Sequence, residues 1–171
     1  ESFVVGDSSA STSSENGSAT GFFFTANIAA STVLTFEFNA FKYLQAALTA
    51  GTIIPGSTAS ADMDAEITIV DANTGSTVFS WTPDGAAGGV SGGTEQLDPF
   101  SLNQVVSTVF PATSPTQTTG AGCTINAGTM AVGTASVAGC FGAYKATTNA
   151  IAPGQYTIGL TVKNGTNVTH V

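Results

Sequence analysis

Arginine is absent from this sequence, and the only cations are Lys42, Lys145 and Lys163. Charged residues make up 8% of the chain and the formal net charge is −8. A globular domain ordinarily carries about 25% charged residues. With no basic patch to neutralise phosphates, the composition points away from nucleic acid and from an anionic membrane surface. No apolar run approaches the ~20 residues of a membrane span, so no membrane-spanning helix is expected. Histidine is nearly missing as well: His170 is the single one. One imidazole and no guanidinium leave little acid–base equipment, and no enzyme is expected.

Cysteine is scarce, with Cys123 and Cys140 the only two. Two cysteines do not make a structural zinc site without other ligands. A Cys123–Cys140 disulfide is the expectation in an exported chain, worth roughly 3 kcal/mol by loop entropy; the alternative is two buried thiols. The chain opens at Glu1, as a mature form would after loss of a signal peptide, although a chain trimmed at an arbitrary boundary would read the same. Ser, Thr, Gly and Ala supply the polarity in place of charge, which suits an extracellular or cell-surface setting.

What is present is β-pattern. The clearest stretch is Ala61 to Asp84. Met63, Ala65, Ile67 and Ile69 alternate with Asp62, Asp64, Glu66 and Thr68. Asp71-Ala72-Asn73-Thr74-Gly75 reads as a turn, and Thr77, Phe79 and Trp81 form one face of a return strand. An apolar, aromatic face needs a second sheet to cover it. The predicted fold is all-β: a two-sheet β-sandwich, jelly-roll or Ig-like, with long Gly/Ser-rich loops.

Further strands are expected at 22–28 and 32–41, paired through Ala29-Ala30-Ser31, and at 102–110; 42–49 reads as strand for want of a helix cap, although Leu44 and Leu48 also stand at helical spacing. Weak strands are expected at 130–137 and 142–147. The last clear strand starts near Tyr156, closes at an Asn164-Gly165 turn and returns as 167–171. Residues 1–21 read as an N-terminal strand, Ser2-Phe3-Val4-Val5, on a flexible polar tether, and 22–171 as the sandwich domain. Phe3, Val4 and Val5 either fold back into their own sheet or add to the edge of a neighbouring copy as a donor strand.

The run Ile67-Thr68-Ile69-Val70-Asp71, then Gly75 through Gly85, Gly92-Gly93-Thr94-Glu95 and Asp98-Pro99-Phe100-Ser101-Leu102-Asn103 resembles the exosortase-dependent, PEP-CTERM-type bacterial surface proteins. So does the ending Pro153-Gly154-Gln155-Tyr156-Thr157-Ile158, leading to Asn167-Val168-Thr169-His170-Val171. The resemblance covers roughly residues 60–171. It implies a cell-surface or biofilm-matrix component, brings no enzymatic residues, and lacks the sorting motif itself.

Several clusters carry candidate chemistry. Gly89-Val90-Ser91-Gly92-Gly93 matches G-x-S-x-G, but that motif needs a strand-to-helix turn, and no helix is expected after it. No cofactor is expected beyond calcium, for which Asp62, Asp64, Glu66, Asp71 and Asn73 are the candidate ligands; the alternative is a solvated acidic face that discourages edge pairing. Asn16, Asn164 and Asn167 head glycosylation sequons, patterns that also arise by chance in a Ser/Thr-rich chain. Phe22, Phe23, Phe24, Phe36, Phe38, Phe79 and Trp81 read as core, with Trp81 the first to test for sugar stacking. Two readings follow: a secreted structural protein that assembles into filaments with copies of itself, with extracellular polysaccharide as a further partner, or a carbohydrate- or calcium-binding β-sandwich module.

Overall fold

The computed structural model describes residues 12–48, 55–110, 116–117, 125–130 and 133–170. The described residues form two antiparallel sheets packed as a β-sandwich. The strands are β1 (Thr12–Ile28), β2 (Thr35–Ala47), β3 (Thr58–Asp71), β4 (Thr77–Trp81), β5 (Val90–Ser91), β6 (Gly93–Leu97), β7 (Gln104–Val109), β8 (Thr116–Gln117), β9 (Ile125–Met130), β10 (Gly133–Thr148) and β11 (Gly154–His170).

Each sheet is built on a long strand paired along its length on one side and shared by two short partners on the other. In the first sheet β3 pairs with β11 from Thr58 to Asp71. On its other edge β7 covers Thr58 to Met63 and β4 covers Ile67 to Val70. In the second sheet β10 pairs with β2 on one side, and with β9 and β6 on the other.

The Ala61–Asp84 hairpin folds as its alternation predicts. Ala65, Ile67 and Ile69 are buried while Asp64 and Glu66 are exposed. Asp71 ends the strand because its Oδ1 accepts the N–H groups of Asn73 (2.8 Å) and Thr74 (3.1 Å). The Gly75 N–H closes the turn on the Asp71 carbonyl at 2.8 Å, with Gly75 at φ 71°.

Four expectations are corrected. Strands β1 and β2 do not form a hairpin: β1 pairs with β11 and β2 with β10, so the short link between them crosses from sheet to sheet. The Asn164-Gly165 turn does not form, because β11 is paired on both edges there and long-range pairing overrides local turn preference. Gly165 instead faces the Asp62 carboxylate, whose oxygens lie where a Cβ would project. Residues 12–21 are strand and not tether, since β11 supplies a ladder for their backbone. The two weak strands expected between 130 and 147 are instead β10, continuous to Thr148, with the strand before it ending at Met130.

The core lies between the sheets in two apolar halves. One holds Ile67, Ile69, Phe79, Trp81, Tyr144 and Ile158, with Phe36 and Phe38 packed on it. Phe36 stacks on Phe79 at 5.3 Å and Phe38 on Tyr144 at 5.2 Å. The other half holds Leu44, Ala46, Leu48, Ala59, Ala61 and Val106. Between them runs a polar seam. Lys42, only 1% exposed, donates to the Ser101 carbonyl at 2.6 Å and to Oε1 of buried Gln104.

Candidate functional site

Edges decide what a sandwich can associate with, and the two long edge strands differ. β2 borders the second sheet and β1 the first. The inward register of β2 places Lys42 in the seam, and its outward face carries Glu37, paired with Lys145 at 3.0 Å. An inward-pointing cation on an edge strand discourages addition of a further strand. β1 has less protection, its one charge being Glu15 near its start. Its residues 16–28 carry no charge and no proline, and its pairing with β11 has no bulge.

The core face of β1 is covered at Ala26 and Ile28 but not at Phe22 and Phe24. Phe24 stands opposite Ile158 and Phe22 opposite Leu160, so they share the face that packs into the core. Yet Phe22 is 65% exposed and Phe24 47%, and Leu160 is exposed beside them. The two rings lean on one another at 5.8 Å. Phe23 points to the opposite face, where Gly21 and Gly159 leave the room its ring fills. The aromatic run at 22–24, expected in the core, is therefore an exposed border on the first sheet, whereas Phe36, Phe38, Phe79 and Trp81 are core.

Phe3, Val4 and Val5 lie outside the described residues, as does Cys123. Cys140 is half-buried on β10, and no described cysteine is a free thiol. The five calcium candidates are not gathered. Asp62, Asp64 and Glu66 share the outer face of β3, opposite Gly165, Lys163 and Thr161 of β11. Asp71 is engaged in the turn with Asn73, five residues beyond Glu66 and so about 16 Å along the strand. Among the described residues no group of three or more acids, histidines or cysteines could hold a metal ion. Asn16 lies on β1, and Asn164 and Asn167 on β11 between two partner strands, instead of on loops. Ser91 of the G-x-S-x-G run ends β5; Gly92, at φ 72°, then carries the chain across to β6 in the other sheet, so the turn leads from strand to strand.

A half-buried pair of acids, not foreseen in the sequence, pins the glycine-rich loop after β4. Trp81 is fully buried and its Nε1 donates to Glu95 Oε1 at 2.9 Å, which removes it from contact with any ligand. Glu95 Oε2 accepts the Gly88 N–H at 3.2 Å, and Asp98 Oδ2 accepts that of Gly85 at 2.7 Å. Burial, reinforced by the neighbouring Glu95, pushes the Asp98 carboxyl up to about 7, although the Gly85 bond opposes the rise. Tyr144 donates to the Phe100 carbonyl at 2.9 Å, and burial pushes its hydroxyl up to about 12. The signal in the sequence was the pair Glu95 and Asp98 in a segment with few charges.

No protein-family model matches the chain, and no curated protein matches it. Among solved structures it is similar to a chain of infectious bursal virus derived T=1 particles at 2.6 Å, with 14% identity and a TM-score of 0.13, covering 96% of this chain and 41% of that one. It is similar also to a chain of the infectious bursal disease virus Gx strain, with 14% identity and a TM-score of 0.11, covering 96% of this chain and 43% of that one. The chain thus spans less than half the length of either viral chain, and likeness at this level carries no argument.

Proposed function

We propose that the protein is a secreted structural component of a cell surface or biofilm matrix, whose copies join when Phe3, Val4 and Val5 of one add as a strand along β1 of the next. The observation that carries this reading is the bare edge of β1 with Phe22 and Phe24 exposed on its core face. Backbone pairing supplies affinity in strand addition, and pockets for alternate side chains supply selectivity.

The Cys123–Cys140 disulfide belongs to the same reading, as a fastening for a segment with little apolar material of its own.

Light scattering and electron microscopy of the full chain test this. Polymers or oligomers are expected that disappear on deletion of residues 1–11 and in Phe22→Lys/Phe24→Lys, while buried Trp81 keeps its native emission. Assemblies that persist in the deletion refute strand donation. Assemblies that persist in the double lysine variant refute β1 as the acceptor.

A further inference from the structure

The outer face of the second sheet carries a second aromatic surface, remote in role from the β1 edge. Phe41 of β2 and Phe141 of β10 stand directly opposite one another and are 67% and 65% exposed. Tyr43 is also exposed and lies over Gly139, whose missing side chain leaves the ring room to lie flat. Read outward along β2, the order is Asn39, Phe41, Tyr43, Gln45, with every one of them exposed. Neutral amides thus flank the rings at both ends, and the Tyr43 hydroxyl donates to Gln45 Oε1 at 3.3 Å. Phe141 also borders a shallow, open recess shared with Gln96, Leu97, Asp98 and Phe100.

We propose that this strip and recess bind a neutral, hydroxyl-rich glycan. Sugar rings present C–H faces to flat aromatic rings and hydroxyls to amides at the border. On this face Glu37 and Lys145 are spent on each other, and Asp98 in the recess carries no positive charge to attract an anionic polymer. The chain's net charge of −8 opposes an anionic one. A protein partner fits less well. Three rings, each exposing rather more than half of ~200 Å², offer roughly 400 Å², about half of the ~800 Å² per partner in a stable interface. From Asn39 to Gln45 the strip runs about 20 Å, a length that takes several linked sugar rings.

Isothermal titration with cellohexaose and laminarihexaose, and with an anionic alginate oligomer as control, tests the proposal. At least one neutral oligosaccharide is expected to bind, with affinity reduced tenfold or more in Phe41→Ala/Phe141→Ala at unchanged melting temperature, and alginate is expected not to bind. Deletion of residues 1–11 should leave this binding intact, which separates it from assembly. Absence of binding by both neutral oligomers at millimolar concentration overturns the proposal, as does binding indifferent to the double alanine change. Loss of self-association in that variant, without sugar binding in the parent, assigns the face to a second copy and overturns it equally.

Discussion

Replacing Asn103 by alanine should destabilise the fold by about 3 kcal/mol, because this side chain stands in for a missing piece of strand. β7 leaves the edge of β3 after Met63 and β4 joins it only at Ile67. In the gap the Asn103 amide pairs with Ala65 as a backbone would. Its Oδ1 accepts the Ala65 N–H at 2.9 Å, and its Nδ2 donates to the Ala65 carbonyl at 3.1 Å and the Pro83 carbonyl at 2.9 Å. The Ser101 hydroxyl holds Asn103 in place, accepting its N–H at 3.0 Å and donating to its carbonyl at 2.5 Å.

Three bonds at about 1 kcal/mol each set the estimate. Leaving the Ala65 N–H without a partner adds to it, and water entering beside half-buried Asn103 offsets part. For a chain of this size the melting temperature should fall by roughly 6–12 °C. Thermal unfolding followed by Trp81 emission reads the global effect, and hydrogen exchange at the Ala65 amide reads the local one. Asn103→Asp sharpens the test. A carboxylate keeps the bond from Ala65 N–H but faces two carbonyl oxygens with no proton to give, so this variant should recover stability as pH falls and the acid regains a donor. An alanine variant within about 1 kcal/mol of the parent, with the Ala65 amide still protected, would refute the argument.

Three further outcomes follow from the core. Asp98 holds its proton up to about pH 7, above its ordinary value of 3.8, so its contribution to stability is full below the ordinary value and lost as pH rises through 7; melting temperatures of the parent should decline over that window relative to those of Asp98→Asn. Burial pushes the Lys42 amine down to about 8 from 10.5, so the lysine's contribution runs the other way, rising as pH climbs from 8 toward 10.5; Lys42→Met should remove that rise in a pH series of melts and cost about 1–3 kcal/mol by stranding Gln104 and the Ser101 carbonyl. Gly75→Ala and Gly92→Ala form a pair at nearly equal φ, 71° and 72°. The first meets open space and should cost only the ~1 kcal/mol of left-handed backbone, whereas at the second the Val78 carbonyl oxygen stands where the Cβ would go, and urea unfolding should show several times that loss or no folded protein.

The β3–β4 hairpin was legible because a strict period of two ran into an Asp that caps its own turn. Phe36 and Phe38 were legible for the same reason, and continuing their register would have found Lys42, since the even-numbered positions from Leu34 to Leu48 all point inward. The pairing of β1 was not legible. Three residues between strands read alike whether they close a hairpin or cross between sheets, and the bridge from Thr32 to Ile151 that fixes the crossing is remote in sequence. Asn164-Gly165 misled because its glycine lies within a strand paired on both edges, facing the Asp62 carboxylate, and not in a turn. The exposure of Phe22 and Phe24 follows from the order of strands and the extent of the second sheet, neither of which is written locally.

How three cations are placed in a chain this poor in charge bears on what can meet its edges. Lys42 points inward from β2, Lys145 neutralises Glu37 on the same strand, and Lys163 lies on β11 with Asp64 across from it on β3. None falls on β1. The edge of the second sheet thus carries both devices that resist strand addition, an inward charge and an outward one, while residues 16–28 at the edge of the first sheet carry neither. A phenylalanine-bearing edge left open and uncharged over residues 16–28 is an aggregation hazard, which a defined strand covering it would remove. A full-length chain that stays monomeric at high concentration, with its free-edge β1 amides exchanging as fast as unpaired ones, would leave that distribution of charge without consequence and the assembly reading without its footing.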